Sequence, residues 1–195
     1  MLSSQFDLCR ITNETLKMKI VFLDIDGVLN SGRTFIAYAH KQKAYNAENP
    51  HDPYWKKMTK CTVDEVSVGL LNKVLLDFDA HIVLSSTHRM HFPESDIKLS
   101  QIKDYLTFLG VLGDRCIGYT PRLNAIRGVE IADWINRNQK EYEVENMIIL
   151  DDSSDFLPEQ MEYHVHCKGG HGITEQNYRD MTRLFGREDS GLILL

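Results

Sequence analysis

Short apolar runs rich in β-branched residues recur along the chain, and each stops abruptly at polar residues. The first is Lys19-Ile-Val-Phe-Leu23, followed by Asp24 and Asp26. Ala80-His-Ile-Val-Leu84 precedes Ser85-Ser-Thr-His-Arg89, and Met147-Ile-Ile-Leu150 precedes Asp151-Asp-Ser-Ser-Asp155. Runs of this length without alternation read as strands buried on both faces, as in a parallel sheet covered by helices. Arg115-Cys-Ile-Gly-Tyr119 is a further short strand or extended segment, ended by Thr120-Pro121. Tyr163-His-Val-His166 is another.

Between these runs the apolar period changes to three or four. Thr62-Val-Asp-Glu65 carries a capping-box signature and predicts a helix with Val63, Val66, Leu70, Val74 and Phe78 on its apolar side. Leu99, Ile102, Leu106 and Leu109 predict a helix over 95–109 with Gly110 as its C′ residue. A third helix is expected over 129–137 with Ile131 and Ile135 on one face. Thr174 then caps a terminal helix through Tyr178, Met181 and Phe185, stopped by Gly186. Strands alternating with helices predict an α/β fold around a mostly parallel sheet with right-handed crossovers.

Residues 31–60 show no convincing periodicity, and Pro50 and Pro53 break the second half. A long irregular insertion of this kind is usually functional. Tyr38, His40, Tyr45, His51, Tyr54 and Trp55 make it aromatic, and it reads as a small lid that helps bind substrate. Residues 1–17 read as an N-terminal arm, 18–186 as the main domain and 187–195 as a C-terminal tail.

With 195 residues the expectation is one compact domain with a modest insertion. The formal net charge of −6 argues against a broad basic surface for nucleic-acid backbones, though not against a small basic site for one phosphate. Cys9, Cys61, Cys116 and Cys167 are irregularly spaced and read as reduced thiols. No apolar run approaches a membrane span and the first residues lack a signal-peptide pattern, so a cytoplasmic protein is expected. His164, His166, Cys167 and His171 invite a zinc reading. Against it, His-x-His on a strand is a common surface arrangement and no Cys pair accompanies it.

The strand ends carry the candidate chemistry. Parallel strands deliver functional groups at their carboxyl ends, at the mouth of a crevice. Asp24 and Asp26, two residues apart, share a face if the strand period of two holds. Like charges held that close need a cation or shared proton, and Mg²⁺ bound through carboxylates and substrate phosphate is the simplest relief. The bland alternative is that Asp-x-Asp-Gly is only a turn after a strand, with Gly27 supplying a positive φ. Asp151 and Asp152 are adjacent, so only one aims at the same metal unless the chain turns between them. Ser85, beside free backbone N–H groups at a strand end, suits a phosphate oxygen, with Ser86 next to it, and Arg89 offers a bidentate phosphate contact.

Together these stretches resemble the motifs of the haloacid dehalogenase-like (HAD) phosphohydrolases. Phe22-Leu-Asp-Ile-Asp-Gly-Val-Leu-Asn30 is similar to motif one, D-x-D-G-[TV]-L, and Ile82-Val-Leu-Ser-Ser-Thr-His-Arg89 to motif two. Arg127-Gly-Val-Glu-Ile131 is similar to motif three, and Ile148-Ile-Leu-Asp-Asp-Ser-Ser-Asp155 to the acidic motif four. The resemblance covers nearly all of residues 19–186. With Tyr119-Thr-Pro-Arg-Leu123 and His171-Gly-Ile-Thr174 it extends in particular to the HAD domains of Swiss Army knife RNA-repair proteins.

The resemblance implies a three-layer Rossmann-like fold with residues 31–60 as flap or cap. It implies a phosphatase with Asp24 as nucleophile, Asp26 as general acid and base, and Ser85 on the phosphate. Arg127, with Arg122 as the alternative, would be the basic residue that steadies the nucleophile. Asp24, Asp26, Asp151, Asp152 and Asp155 would surround Mg²⁺, Asp151 as direct ligand and Asp152 and Asp155 as water-mediated or outer partners. The implied substrate is a phosphomonoester, on a nucleotide or at an RNA or DNA end. Lys41, Lys43, Lys56 and Lys57, interleaved with Tyr38, Tyr45, Tyr54 and Trp55, would offer bases charge and stacking. The same aromatics suit a phosphotyrosine ring, and a non-catalytic binding module is the other alternative; the presence of Asp26 favours an enzyme. Two features depart from the subgroup: His88, where Trp is expected, and the 31–60 insertion.

Overall fold

The computed structural model describes residues 16–52, 63–92, 98–168 and 170–186. Five strands, β1 (Leu16–Leu23), β2 (His81–Leu84), β3 (Cys116–Tyr119), β4 (Tyr142–Asp151) and β5 (His164–His166), pair in the order β3-β2-β1-β4-β5. Every pairing is parallel. The helices are α1 (Gly32–Glu48), α2 (Glu65–Asp77), α3 (Leu99–Phe108), α4 (Arg127–Asn138) and α5 (Glu175–Phe185). β1 therefore begins inside the segment expected to be an arm, and Leu16 pairs in register with Tyr142.

Register explains why the central strands are apolar throughout. Val21 lies beside Ile82 and Ile148, and Leu23 beside Leu84 and Leu150. These six residues point to one face, where they join Leu71, Val74 and Leu75 of α2, Ile102 and Leu106 of α3, and Met181, Leu184 and Phe185 of α5. Phe22, flanked by Val83 and Ile149, points the other way with Ile20 and packs on Ile131, Trp134 and Ile135 of α4. Helices on both faces of a parallel sheet make the three-layer Rossmann-like α/β fold that the strand pattern predicts.

The helices depart from the sequence reading in two places. Residues 32–48, expected to be irregular, form α1, capped by Ser31 through a reciprocal capping box with Thr34. Thr34 is its only buried residue, and Ile36 is 84% exposed. A helix that buries so little writes no apolar stripe into the sequence; Ala, Lys, Gln and Glu sustain it by propensity. Tyr54, Trp55, Lys56 and Lys57 of the expected lid lie outside the described residues. In α2 the cap is Asp64, whose side chain accepts the Val66 N–H at 2.9 Å, while Thr62 lies outside the described residues. The buried side is Val68, Leu71, Val74 and Leu75, with the expected Val63, Leu70 and Phe78 packed against the same core; of the expected positions only Val66, 67% exposed, turns away. The entry to α2 is instead tied to the loop after β1, through Asp64 N–H to Leu29 O at 2.7 Å and a bridge between Asn30 and Val63. The ends of the later helices follow the sequence reading: Gly110 takes φ +88° after α3, and the Thr174 side chain accepts from Asn177 N.

Phe22 is fully buried and meets Trp134 edge-on with ring centroids 5.7 Å apart. Phe22→Ala should therefore lower the unfolding free energy by about 3–5 kcal/mol, read as a shift in the urea midpoint.

Candidate active site

The sheet places a row of polar residues where its strands end. Backbone pairing continues one step beyond the strands: Thr120 N–H donates to Leu84 O at 3.0 Å, Ser85 N–H to Leu23 O at 2.8 Å, and Asp24 N–H to Leu150 O at 3.0 Å. Thr120, Ser85, Asp24 and Asp151 thus stand side by side at the ends of β3, β2, β1 and β4, and all four are buried. Buried polar groups are costly unless partnered. The Ser85 and Thr120 hydroxyls have no hydrogen-bond partner among the described residues.

The acids are partnered, in part, by one cation. Arg127, the first residue of α4, brings Nη1 to 2.9 Å from Asp24 Oδ2 and also pairs with Asp151. Burial alone would lower the Arg127 pKa, but the charges of Asp24 and Asp151 raise it. Asp152 lies just past β4, where the chain turns as Ser153 N–H donates to Asp151 Oδ1 at 2.8 Å. That turn lets both neighbours face the same point, and one oxygen each of Asp24, Asp151 and Asp152 lie within 4.8 Å of one another. Burial, and then the charge of Asp24, push Asp151 up to about 7 and raise Asp152 as well. Gly27 makes this packing possible. It has φ +74°, and a Cβ there would sit 2.1 Å from Asp152 Oδ2.

Asp26 is not part of this group. The strand stops at Leu23 and the chain turns, with Val28 and Leu29 N–H both donating to Ile25 O, so the period of two no longer applies. The Asp26 carboxylate accepts from Asn30 Nδ2 at 2.7 Å and faces His88 Nε2 at 2.8 Å, while His88 Nδ1 meets the buried Tyr105 hydroxyl. The His88 hydrogen bond is the main cause that holds the Asp26 pKa below the usual carboxylate range, against burial. Asn30 also accepts from Gly27 N–H at 2.8 Å, so one side chain braces both the turn and the acid.

The other expected residues take supporting places. Asp155 accepts from Arg127 N–H at 3.1 Å and from the Ser153 hydroxyl at 2.9 Å, at the start of α4 rather than among the three gathered acids. Ser86 caps the 3₁₀ turn Thr87–His91 by accepting from His88 N–H. Arg89 is buried, donates to Ser86 O at 2.7 Å and pairs with Glu130 of α4. Arg122 donates to the carbonyls of Arg89 and Phe92, so it is Arg127 that touches Asp24. His164 and His166 face the carbonyls of Asp151 and Asp152 at 3.3 and 3.1 Å. They, Cys167 and His171 form no metal-binding group among the described residues.

The sequence reading had no role for Thr120, Glu130 or Asn30. Thr120 could have been found as Ser85 was, as a hydroxyl closing an apolar run. Glu130 acts through Arg89, a contact between distant residues that local pattern does not encode, whereas Asn30 acts inside its own turn on Gly27 and Asp26.

The family described as the HAD domain in Swiss Army Knife RNA repair proteins matches residues 20–178. The chain belongs to that family. The match runs from β1 into α5 and includes every acid, hydroxyl and arginine of the site. No curated protein and no solved structure matches the chain. Membership in a HAD domain family implies a phosphohydrolase superfamily, and the cluster of Asp24, Asp151 and Asp152 is compatible with such chemistry. Three oxygen donors, all carboxylate, suit a hard divalent cation, and one arginine balances only part of their charge.

If those acids hold Mg²⁺, the metal-free fold carries a protonation that the metal displaces. Asp151 has an ordinary value of 3.8 and is pushed up to about 7 by burial, so the unfolded chain releases this proton first. Stability from this group then declines as pH rises from about 4 to about 7. Mg²⁺ should reverse that loss, raising Tm more at pH 8 than at pH 5.5. At 100-fold above Kd the gain is about 2.7 kcal/mol, roughly 5–10 °C for a chain of this size. Thermal melts of Asp151→Asn should show little of either effect.

Proposed function

We propose that this HAD domain is a Mg²⁺-dependent phosphomonoester hydrolase working through an aspartyl-phosphate on Asp24. The observation that carries the reading is the buried Asp24 carboxylate, oriented by Arg127 and ringed by Asp151 and Asp152. It stands beside the unpartnered Ser85 hydroxyl at the end of the neighbouring strand.

Asp24 Oδ attacks phosphorus, forming an acyl phosphate on Asp24 as the bond to the leaving alcohol's oxygen breaks. Asp26 donates a proton to the leaving oxygen, then accepts one from the water that attacks the intermediate, which frees phosphate and restores Asp24. Asp26 is exposed, and Asn30 and His88 hold one oxygen each; both contacts favour its carboxylate form, which suits the base of the second step. Arg127 and the hydroxyls of Ser85 and Thr120 supply donors for the phosphoryl oxygens, where charge stabilisation dominates catalysis. Mg²⁺ on Asp24, Asp151 and Asp152 would neutralise the approach of an anionic substrate to these acids. Asp155 steadies Arg127 by capping its backbone.

The substrate we favour is a phosphate on a nucleotide or at a nucleic-acid end. The family's RNA-repair setting supports it. So does α1, which presents a half-buried Tyr38 ring with the exposed Lys41 Nζ 4.4 Å from its centre, a ring–cation pair of the kind that stacks on bases.

Asp24→Asn should reduce turnover of a generic aryl phosphate by ~10³-fold or more while circular dichroism shows an intact fold; near-wild-type turnover would remove Asp24 from the nucleophile's role. On wild-type protein, specificity constants should rank 3′- or 5′-phosphorylated oligonucleotides and mononucleotides above phosphotyrosyl peptides.

A further inference from the structure

Beside the acids lies a cavity of about 170 Å³ whose walls include Thr87, Arg89, Arg122, Arg127, Glu130 and Asp155. Pockets for drug-sized ligands start at about 300 Å³, so this one accommodates a phosphate-sized group rather than a base. Arg127 links the two places: it lines the cavity, and its Nη1 lies 2.9 Å from the Asp24 carboxylate. A group held here is thus an immediate neighbour of one attacked by Asp24.

The charges of the cavity do not cancel. Both carboxylates are already engaged, Glu130 by Arg89 and by Leu123 N–H at 3.0 Å, and Asp155 by Arg127 N–H and the Ser153 hydroxyl. Arg127 is shared with Asp24 and Asp151. Arg122 pairs with no carboxylate among the described residues. Its Nη2 donates to two backbone carbonyls, which satisfies hydrogens but leaves the charge unbalanced. The buried Nε atoms of Arg89 and Arg122 have no hydrogen-bond partner among the described residues. Burial, against the opposing charge of Glu130, lowers the Arg89 pKa, and the nearby charges of Arg127 and Arg122 lower it further. Three guanidinium groups crowded in this way are relieved by an anion, and their planar forks suit phosphate oxygens.

The geometry points to a second phosphate subsite in this cavity, centred on Arg122, so that the preferred substrate carries another phosphate next to the one removed. This rests on the phosphatase reading above and narrows its substrate. Two sources share the chemistry: a nucleoside bisphosphate, with both groups on one sugar, and a phosphorylated strand end, whose first phosphodiester follows the terminal phosphate. A nucleoside monophosphate would leave the cavity empty.

The test is calorimetric binding to the full chain in EDTA, which does not depend on turnover. The probes are adenosine 5′-monophosphate, adenosine 3′,5′-bisphosphate and 5′-phosphorylated diadenylate. A charge-assisted contact of this kind changes an equilibrium constant by about tenfold or more. The bisphosphate, the dinucleotide or both should therefore bind at least about tenfold more tightly than the monophosphate, and whichever gains identifies the source. Arg122→Gln should reduce that ratio to within about twofold. Because Arg122 also ties down the Arg89 and Phe92 carbonyls, Ala125→Glu serves as a second variant. Ala125 lines the same cavity, and the new carboxylate should abolish the preference with Arg122 in place. Equal affinity for all three probes in the wild type, or a preference that survives Ala125→Glu, would overturn the subsite. Neither result bears on hydrolysis, which Mg²⁺-dependent turnover of aryl phosphate tests separately.

Discussion

Three carboxylates from two neighbouring strands, two of them buried, meet at one point, and the arrangement around them follows from that constraint. An isolated buried carboxylate is too costly to keep ionised, so Asp24 and Asp151 share Arg127, and Asp151 still has its pKa raised to about 7. Arg127 can serve both only because it opens α4, where its backbone is held by Asp155. Gly27 yields space to Asp152. The Asp151–Asp152 turn is secured by Ser153 from one side and by His164 and His166 of β5 from the other.

Placement of Arg127 in turn depends on how α4 is fastened. On the sheet side, Ile131, Trp134 and Ile135 pack against Ile20, Phe22, Val83 and Ile149. Near its start, Glu130 and Arg89 form a buried ion pair that joins α4 to the turn after β2. Breaking one member of such a pair typically costs about 3–5 kcal/mol, because the other charge is left alone. Arg89 is thus better understood as the strut that fixes α4 against Ser86 O than as a free phosphate ligand. The same strut forms a wall of the cavity beside Asp24.

Asp26 belongs to a separate structure on the opposite side of the turn. Asn30 and His88 grip its two oxygens, and Tyr105 of α3 backs His88. The two aspartates of one short motif therefore have different environments, one buried with acids and an arginine, the other at the surface with an imidazole. Divergent environments of this kind are how a nucleophile and a proton carrier are separated. His88, a departure from the family resemblance, is the residue that links Asp26 to the core.

Residue order determined the apolar strands, most helix ends and the identity of the chemical groups at the strand termini. Burial on both sides of a parallel sheet demands continuous apolar runs, and helix caps are local hydrogen bonds, so both are written in neighbouring residues. The family was legible for the same reason, since its motifs are short and sit where those runs end. Helix α1 was not legible, because a helix that buries one residue leaves no periodic trace. On α2 the expected Val63, Leu70, Val74 and Phe78 do meet the core, and only Val66 was misplaced, because the fold decides how far round the helix the buried side reaches. Within the site, spacing suggested that Asp24 and Asp26 act on one face and that Asp151 and Asp152 part. Chain turns at Ile25 and Ser153 produced the reverse grouping. The choice of Arg127 over Arg122 beside Asp24, and the pairing of Arg89 with Glu130, likewise depended on contacts 24 residues apart or more. Such contacts exist only after packing brings distant elements together, and no local pattern of residues encodes them.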